Sequence, residues 1–500
     1  FFLTRIMVVY KGTPKGRLKT KWYKKKEVCF MKISMKTKRI TAAMLAASMV
    51  LAATACAKEE RQTFTGDKTE EPAYQANLDV ISPIAYSETD GLNLEPGTYI
   101  SIIGKDEASA FWKNVKKGVQ QAEEDLNKTL GYTGNDKVKV TYNAPAKKEN
   151  IDEQVNILDE ELARYPDVVG VASIDADACS VQFDLATENG IPVIALDSGN
   201  NYQGIQCTVK TDNAEAAKTG AYKLADAMGR TGDILLLVHD SKSETAKERT
   251  EAFCAEIEEK YPDVNVAEIL YVDQFEELKK QIVEEQYAAS NTSETENTAN
   301  AAAGSAGTEA AASTVADAQN TPAEETDSAS GTVESDTAET QISAEELAAK
   351  SSELTDEDVI LYYLEKYPNV RGMFGTNDMT TQLGASALAE KKADHSGNTE
   401  KTENAEKAED TDKADKAENE QEDEILLMGF DAGKAQLDAL KNGEISGLVV
   451  QNPFGIGYAS VIAAARTVLQ AGNEAEVNTG YVWVTKENME SESIRKMLYE

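Results

Sequence analysis

The chain has 500 residues and a formal net charge of −36, since 51 Lys and Arg stand against 87 Asp and Glu. This length allows about three domains of ordinary size. A surface of that sign repels nucleic acid and anionic lipid, so neither is expected as a direct partner. The five cysteines form no C-x-x-C pair and only two histidines are present, so we expect no zinc site, no other metal and no cofactor.

The first recognisable feature is an export signal. A basic stretch begins at Met35, and residues 41–55 form an apolar run that is too short to span a bilayer comfortably. The run ends in LAATAC (51–56), which resembles a bacterial lipobox. Residues 35–56 therefore predict a lipoprotein signal peptide with lipidation at Cys56. An ordinary signal peptide with an incidental cysteine stays open.

The residues on either side of this signal are not expected to form domains. Residues 1–34 are strongly basic and begin with Phe, and we interpret them as an over-extended N-terminus. Residues 57–96 are polar and carry many Thr, Glu and Asp. That composition is typical of a flexible tether between an anchor and a folded body.

From residue 97 onward, short apolar runs alternate with helical patterns. The first strand covers 98–104 and the first helix 108–130, and the later strands of this half are 138–142, 168–172, 191–196 and 207–211. Strands that are apolar on both faces are typical of parallel sheets covered by helices. In such sheets, ligands bind just beyond the carboxyl ends of the strands.

The alternation continues in the second half, where the strands are 232–238, 264–272, 370–374, 425–430, 447–451 and 480–484. Two segments interrupt it. The first is 288–344, which we expect to be a disordered insertion. Its residues 288–341 are nearly all small or polar, and such a composition cannot bury enough surface to offset chain entropy. Residues 391–423 are rich in Lys, Glu, Asp and Ala and predict either a second disordered insertion or a lone charged helix.

Three of the predicted strands end in polar residues that one pocket could share, namely Asp197, Asn377 and Asp431. Asp197 opens the turn Asp-Ser-Gly-Asn directly after the strand 191–196. A ligand-facing carboxylate is expected at that place in an open parallel sheet, and a merely polar turn is the alternative.

Together with Phe111, Trp112 and Arg249, these strand ends resemble the sugar-binding family of type I periplasmic binding proteins, which includes the ribose- and galactose-binding proteins. The similarity runs from residue 99 to 484, apart from the two insertions. Its motifs in this sequence are FW at 111–112, GIPV at 190–193 with Asp197, TDN at 211–213, TAKER at 245–249, ND at 377–378, GFD at 429–431 and QNP at 451–453.

The resemblance implies an α/β fold of two doubly wound parallel-sheet lobes joined by a three-strand hinge, with both low-complexity insertions in the second lobe. The first lobe would cover 97–211, completed by 452–479, and the second would cover 212–451. Residues 480–500 would form the final crossover and the C-terminal tail. The hinge crossings would lie at 211–212, 451–452 and 479–480.

The resemblance also implies a sugar site between the lobes, with aromatic residues near the sugar ring and polar residues on its hydroxyls. The matching positions are Phe111, Trp112, Asp197, Arg249, Phe275, Asn377, Asp431 and Gln451. Such a set suits a pyranose, which offers apolar C–H faces and a rim of hydroxyls. Ser109-Ala110 replaces the family's Asn-Pro, and Ser198 stands where ribose binders place an Arg. Both departures broaden the ligand class beyond ribose.

Other functions find less support. Catalysis is not expected, because nucleophile-elbow, zinc-protease, phosphate-loop and dinucleotide motifs are absent and a lone His239 after a strand is more often a loop residue. A calcium loop at Asp175-x-Asp177 lacks its Gly and Glu, which Ser180 and Ala186 replace. Lactose-repressor-like transcription factors share the two-lobed architecture but carry a helix-turn-helix module ahead of it.

We therefore expect a monomeric, lipid-anchored solute-binding protein on the extracytoplasmic face of a bacterial membrane. It would capture a monosaccharide or similar hydroxylated ligand by hinge closure and deliver it to an ABC importer. The alternative is a ligand-sensing receptor of the same fold that signals to a membrane histidine kinase. The sequence alone does not separate the two roles.

Overall fold

The computed structural model of the chain describes residues 72–148, 150–303, 342–403 and 425–499. These residues lie in Pro72–Glu500, one of the two units into which the chain divides. The predicted N-terminal extension, signal peptide and lipidation site at Cys56 fall outside the described residues. So do the middle of the first predicted insertion and most of the second.

The described elements alternate between strands and helices along most of the chain. The strands are β1 (Tyr99–Ile103), β2 (Lys139–Asn143), β3 (Val168–Val171), β4 (Val193–Leu196), β5 (Ile205–Lys210), β6 (Gly232–Val238), β7 (Val264–Tyr271), β8 (Val370–Gly375), β9 (Leu426–Phe430), β10 (Gly447–Gln451), β11 (Glu476–Asn478) and β12 (Tyr481–Val484).

The helices are α1 (Gln75–Asp79), α2 (Ala110–Leu130), α3 (Ile151–Leu162), α4 (Ser180–Glu188), α5 (Asn213–Ala227), α6 (Glu244–Lys260), α7 (Phe275–Ala303), α8 (Ala344–Glu353), α9 (Asp356–Lys366), α10 (Asp378–Glu403), α11 (Lys434–Asn442), α12 (Pro453–Val468) and α13 (Glu492–Arg495). Short 3-10 turns occur at Ile84–Tyr86, Gly134–Asp136 and Val272–Gln274.

The strands form two six-stranded sheets with one shared topology. The sheet of lobe 1 has the order β11-β5-β4-β3-β1-β2, and that of lobe 2 has the order β12-β10-β9-β8-β6-β7. All neighbours pair in parallel except β12, which runs antiparallel to β10 at the edge of lobe 2. The prediction of two doubly wound, parallel-sheet α/β lobes is therefore confirmed.

The central strands are buried on both faces, as their apolar sequences predict. In β1, Ile100 and Ile102 belong to the core that contains α2 and α12. Ile103 points to the opposite face, where the core includes Leu158 of α3 and Phe183 of α4. This alternation is the period of two that a β-strand imposes, with helices covering both faces of the sheet.

Helices α2 and α12 cross at two glycines, and this contact sets where α2 begins. A Cβ atom added at Gly118 would lie 2.0 Å from the carbonyl oxygen of Phe454. One added at Gly457 would lie 2.0 Å from the carbonyl oxygen of Val115. Only glycine allows the two backbones to approach so closely. The N-terminus of α2, with Phe111 and Trp112, is thereby fixed at the end of the lobe 1 sheet.

The chain passes between the lobes three times. The crossings fall between β5 and α5, between β10 and α12, and between β11 and β12. They contain residues 211–212, 452 and 479–480, whereas Gln451 of the predicted crossing 451–452 is the last residue of β10. Thr211 and Gln451 hydrogen bond to each other across two of these crossings at 3.0 Å.

The predicted flexible tether over 57–96 is wrong for residues 72–96. Helix α1 lies here, and Leu78, Ile81 and Leu94 are buried in the core. The Asn452 side chain donates to the Asn77 carbonyl at 2.7 Å. The polar composition was misleading because only a few apolar side chains, spaced along an irregular segment, attach it to lobe 1.

The predicted insertions begin later than their composition indicates. Helix α7 continues through residues 288–303, and α8 begins at Ala344, so the disorder expected from residue 288 is wrong as far as 303. Helix α10 runs to Glu403, which matches the charged-helix alternative over 391–403. The remainder of each insertion lies outside the described residues.

Candidate functional site

A cavity of about 50 Å³ lies between the lobes, beyond the carboxyl ends of both sheets. In this closed arrangement the cavity has room for a few water molecules, so a larger ligand fits only if the lobes separate slightly. Half of the lining residues come from each lobe. They are Lys105, Asp106, Ser109, Phe111, Trp112, Lys148 and Asp197 from lobe 1, and His239, Thr245, Arg249, Asn377, Asp378, Asp431 and Gln451 from lobe 2.

Seven of the eight site residues expected from the sequence line this one cavity. They are Phe111, Trp112, Asp197, Arg249, Asn377, Asp431 and Gln451. The eighth, Phe275, does not. Its side chain is 2% exposed and packs in the hydrophobic core at the start of α7, so the expected aromatic wall at this position is wrong. An aromatic residue after a strand serves core packing as readily as a binding site, and the sequence does not separate the two.

Asp197 and Asp431 occupy equivalent places in the two lobes. Asp197 follows β4 and Asp431 follows β9, and each of these strands is the third from the edge of its sheet. Both residues have left-handed backbone, with φ of 57° and 75° respectively. The N–H of Asp197 donates to Val209 at 2.8 Å, and that of Asp431 donates to Val449 at 2.9 Å. This conformation is uncommon for a non-glycine residue and turns both carboxylates to the cavity.

Arg249 is held in place by acceptors from three parts of lobe 2. Its Nε donates to Asn213 Oδ1 at 2.9 Å, one terminal nitrogen donates to the Thr376 carbonyl at 2.6 Å and the other donates to Gln451 Oε1 at 2.8 Å. The guanidinium also lies 4.2 Å from the centre of the Phe430 ring. Since the side chain is only 3% exposed, the cation is fixed rather than mobile at the cavity wall.

Asp431 lies in a dense network. Its Oδ1 accepts from Gln451 Nε2 at 2.7 Å and from the Tyr499 hydroxyl at 2.9 Å, while its Oδ2 accepts from the Asp378 N–H at 3.0 Å. Burial raises the pKa of Asp431 to about 6, and the nearby Asp378 carboxylate adds to the rise. Arg249 and the two side-chain donors oppose it.

The Lys105 ammonium lies 3.9 Å from Asp197 Oδ2 on the lobe 1 side, and both side chains are buried. Burial raises the pKa of Asp197, and the charges of Lys105 and Arg249 oppose this rise. The distance of 3.9 Å is too long for a hydrogen bond between the two groups. Both can therefore turn polar atoms towards a molecule placed between them.

Phe111 and Trp112 form the apolar side of the cavity. Their ring centroids lie 5.2 Å apart in an edge-to-face arrangement. Ser109 precedes them as the N-cap of α2, and its hydroxyl accepts from the Trp112 N–H at 3.3 Å. The serine that departs from the family's asparagine thus still caps the helix that presents the aromatic pair.

The sequence analysis missed several lining residues that the strand-end rule could have found. Lys105 and Asp106 follow β1, and His239 follows β6, at matching places in the two sheets. Burial lowers the pKa of His239 to about 3, so the imidazole is neutral, and its Nδ1 lies 2.8 Å from the Thr376 hydroxyl. Lys148 lies in a loop, and no sequence pattern indicated that it would line the cavity.

The lobes contact each other directly around the cavity. Lys148 of lobe 1 pairs with Asp378 of lobe 2 at 3.5 Å, and the hydroxyls of Ser198 and Thr245 lie 3.0 Å apart. Farther out, Lys210 forms an ion pair with Glu248 across the crossing between β5 and α5. The lobes are therefore closed over the site.

Within the residues that the structure describes, no group of three or more His, Cys, Asp or Glu could hold a metal ion. Among the helices of this same part of the chain, none combines the length and apolar character needed to cross a bilayer.

Comparison with known proteins gives a domain match and a shared fold. Residues 100–323 match the model of the periplasmic binding protein domain. No curated protein matches the chain in sequence. Several solved structures share the fold.

One is a carbohydrate transporter solute-binding protein from Agrobacterium radiobacter in complex with D-arabinose, at 21% identity and a TM-score of 0.54 over 80% of this chain and 98% of that one. Another is an ABC transporter solute-binding protein from Agrobacterium vitis bound with alpha-D-tagatopyranose. It has 18% identity and a TM-score of 0.53, and the match covers 81% of this chain and 99% of that one. A second ABC transporter solute-binding protein from Agrobacterium vitis, with bound D-fucose, has 18% identity and a TM-score of 0.52, and the match covers 80% of this chain and 100% of that one. The chain therefore carries a match to the periplasmic binding protein domain over residues 100–323 and shares the fold of these solved structures.

Proposed function

We propose that this protein captures a monosaccharide or similar hydroxylated ligand in the cavity between its lobes and delivers it to an ABC importer. The observation that carries this proposal is the convergence of buried charged and amide side chains from both lobes on one closed cavity. Each lobe supplies half of the lining, so a ligand held there stabilises the closed arrangement over an open one.

The chemistry of the lining suits a sugar. Phe111 and Trp112 offer an apolar surface to C–H faces. The carboxylates of Asp197 and Asp431 accept from hydroxyls, and charge-assisted hydrogen bonds of this kind are stronger than neutral ones. Arg249, Asn377 and Gln451 are proposed as further hydroxyl partners. A site built this way rejects analogues that lack a hydroxyl, because its own buried groups would lose a partner.

The solved neighbours support the ligand class. Those named above carry D-arabinose, alpha-D-tagatopyranose and D-fucose, and two are described as proteins of ABC transporters. Their identity to this chain is low, so they do not select one sugar among these. The paired positive and negative charges around the cavity favour a neutral polyhydroxylated molecule over a highly charged one.

The proposal includes an anchor on the outer face of the cell membrane. It rests on the lipobox-like sequence that ends at Cys56. The protein would act as a monomer that reaches a membrane permease from this tether. Replacing Cys56 with Ser should move the protein from the membrane fraction to the soluble fraction of expressing cells. Retention in the membrane would refute the lipid anchor without affecting the sugar proposal.

A thermal-shift screen tests the sugar proposal. We expect at least one of D-arabinose, D-fucose, D-tagatose, D-ribose, D-galactose and D-glucose to raise the melting temperature of the full chain. A ligand at 100 times its Kd stabilises the folded state by about 2.7 kcal/mol, which corresponds to a shift of a few °C. No shift with any sugar, or recovery of the sugar in cleaved or oxidised form, would contradict the proposal.

A further inference from the structure

Residues 485–499, which follow β12, form a segment that we name the strap. It begins with a turn in which Asn488 Oδ1 accepts from the Thr485 N–H at 2.8 Å, and it continues through the short helix α13. Met489, Met497 and Tyr499 are buried along it. The strap is therefore packed against the molecule at three points rather than projecting from it.

Tyr499 contacts both lobes. Its hydroxyl donates to Asp431 Oδ1 of lobe 2 at 2.9 Å. Its ring lies edge-to-face with Phe111 of lobe 1, with centroids 6.3 Å apart. The residue is 5% exposed. One side chain thus joins a proposed hydroxyl-binding carboxylate to one of the two aromatics of the cavity.

The carboxylate of Asp431 has little remaining freedom. An ionised carboxylate offers about four lone-pair positions. Gln451, Tyr499 and the Asp378 N–H occupy three of them, two on Oδ1 and one on Oδ2. One position on Oδ2 is left for a ligand. The hydroxyl of Tyr499 is one of the groups that decide which way that position points.

We propose that Tyr499 is a positioning residue of the binding site, which orients the Asp431 carboxylate for the ligand and slows ligand release by tying the strap to Phe111. This inference rests on the proposed sugar-binding function and deepens it. The strap extends from lobe 2, and opening the cleft has to break its contact with lobe 1. Release is then slower than the hinge alone would allow.

Two substitutions separate the two parts of this role. Tyr499→Phe removes the hydroxyl and keeps the ring, so it should weaken sugar binding roughly three- to tenfold while the ring contact is preserved. Tyr499→Ala also removes the ring and should raise the dissociation rate roughly a further tenfold. Lys496→Ala is the matched control, because Lys496 is an exposed strap residue paired only locally with Glu492 at 3.0 Å.

A pH profile distinguishes positioning from a general loss of structure. The groups that face Asp431 are Asp378, Arg249, Gln451 and Tyr499, and the Tyr499 hydroxyl opposes the rise in the pKa of Asp431. Without this donor the pKa of Asp431 rises further. Binding by Tyr499→Phe should therefore be lost at a higher pH on acidification than binding by the wild type. Lys496→Ala should follow the wild-type profile.

The experiment uses the full chain, with stopped-flow and equilibrium binding of D-arabinose, D-fucose and D-tagatose from pH 5 to 8. Hydrogen exchange of the sugar-free proteins runs in parallel. We expect the amides around Phe111 and Asp431 to exchange roughly fivefold faster in Tyr499→Ala and unchanged in Lys496→Ala.

If no sugar binds the wild type, the proposed function fails. The hydrogen-exchange comparison alone then tests whether Tyr499 orders the residues around the cavity. Wild-type exchange in Tyr499→Ala would overturn the inference. Where a sugar does bind, unchanged affinity, dissociation rate and pH profile in both Tyr499 variants would overturn it while leaving the proposed function standing.

Discussion

Residues at strand ends supply much of the polar lining of the cavity. Asp197 and Asp431 were identifiable in the sequence because an apolar run stops abruptly on each of them. Their left-handed backbone was not, since an Asp in this conformation and an Asp in an ordinary turn have the same sequence pattern. Phe275 was wrongly expected to line the site, and Tyr499 was not expected near it, for a related reason. Whether an aromatic ring faces a core or a cleft depends on tertiary contacts that its neighbours in sequence do not reveal.

Arg249 gives the sharpest test at this scale. Arg249→Ala leaves Asn213 Oδ1 and the Thr376 carbonyl without this donor in a buried site, while Gln451 Oε1 keeps only the Thr211 hydroxyl. Sugar affinity should fall at least tenfold, equivalent to about 1.4 kcal/mol or more, because unpaired buried acceptors cost about 1–3 kcal/mol each. Calorimetric titration measures this, with the exposed Arg230→Ala as the control. Wild-type affinity in Arg249→Ala would remove this residue from the site.

Asp431 predicts a pH effect on stability. Its pKa in the folded protein, about 6, lies above the ordinary value of 3.8. Between these values the folded chain keeps a proton that the unfolded chain has released, so the free energy of unfolding falls as the pH rises through this window. Asp431→Asn removes this titration, and asparagine also tolerates the left-handed backbone.

The stability of Asp431→Asn relative to the wild type should therefore improve by about 1–3 kcal/mol between pH 4 and pH 7. Urea unfolding at each pH measures the difference, and Asp438→Asn on an exposed face of α11 serves as the control. A difference that does not change with pH would show that Asp431 is ionised throughout.

Among the elements, the alternation of strands and helices was predictable from hydrophobic periodicity, whereas the positions of the hinge crossings were implied by the family resemblance. The folding of residues 72–96 was not, because its few buried residues do not follow a helical or a strand period. The path of the strap also escaped prediction, since its buried residues Met489, Met497 and Tyr499 are separated by polar and charged ones. Regular periodicity identifies elements, but irregular segments are fixed by the surface they pack on.

The contact between α2 and α12 offers a test of how elements position the aromatic pair. Gly457→Ala places a Cβ 2.0 Å from the Val115 carbonyl oxygen, so the helices have to separate. Alanine normally stabilises a helix interior relative to glycine. Here we expect a loss of about 1–3 kcal/mol from overpacking, together with weaker sugar binding as Phe111 moves.

Urea denaturation and calorimetric titration measure both effects. Gly199→Ala is the control for stability, because a Cβ there comes no closer than 3.9 Å to a neighbouring atom. A Gly457→Ala protein of wild-type stability and affinity would show that the separation of the two helices does not govern the site.

In the whole molecule, the two lobes line one cavity between them. Each contributes a carboxylate with left-handed backbone, and each lines the cavity with polar residues that follow its first strand. The two-lobed topology was implied by the family resemblance, and the alternation of strands and helices indicated its parallel sheets. The closure of the lobes could not, since it depends on contacts such as Lys148 with Asp378, which are far apart in sequence.

Calorimetric titration of the full chain with the sugar panel, followed by mass spectrometry of the recovered sugar, shows whether the cavity between the lobes binds a sugar and releases it unaltered. We expect one sugar to bind with a stoichiometry of one per chain and to return with its mass unchanged. We also expect Asp197→Ala and Asp431→Ala each to abolish or strongly weaken this binding. Binding that survives both substitutions, or a sugar that returns chemically altered, would contradict a carbohydrate site between the lobes.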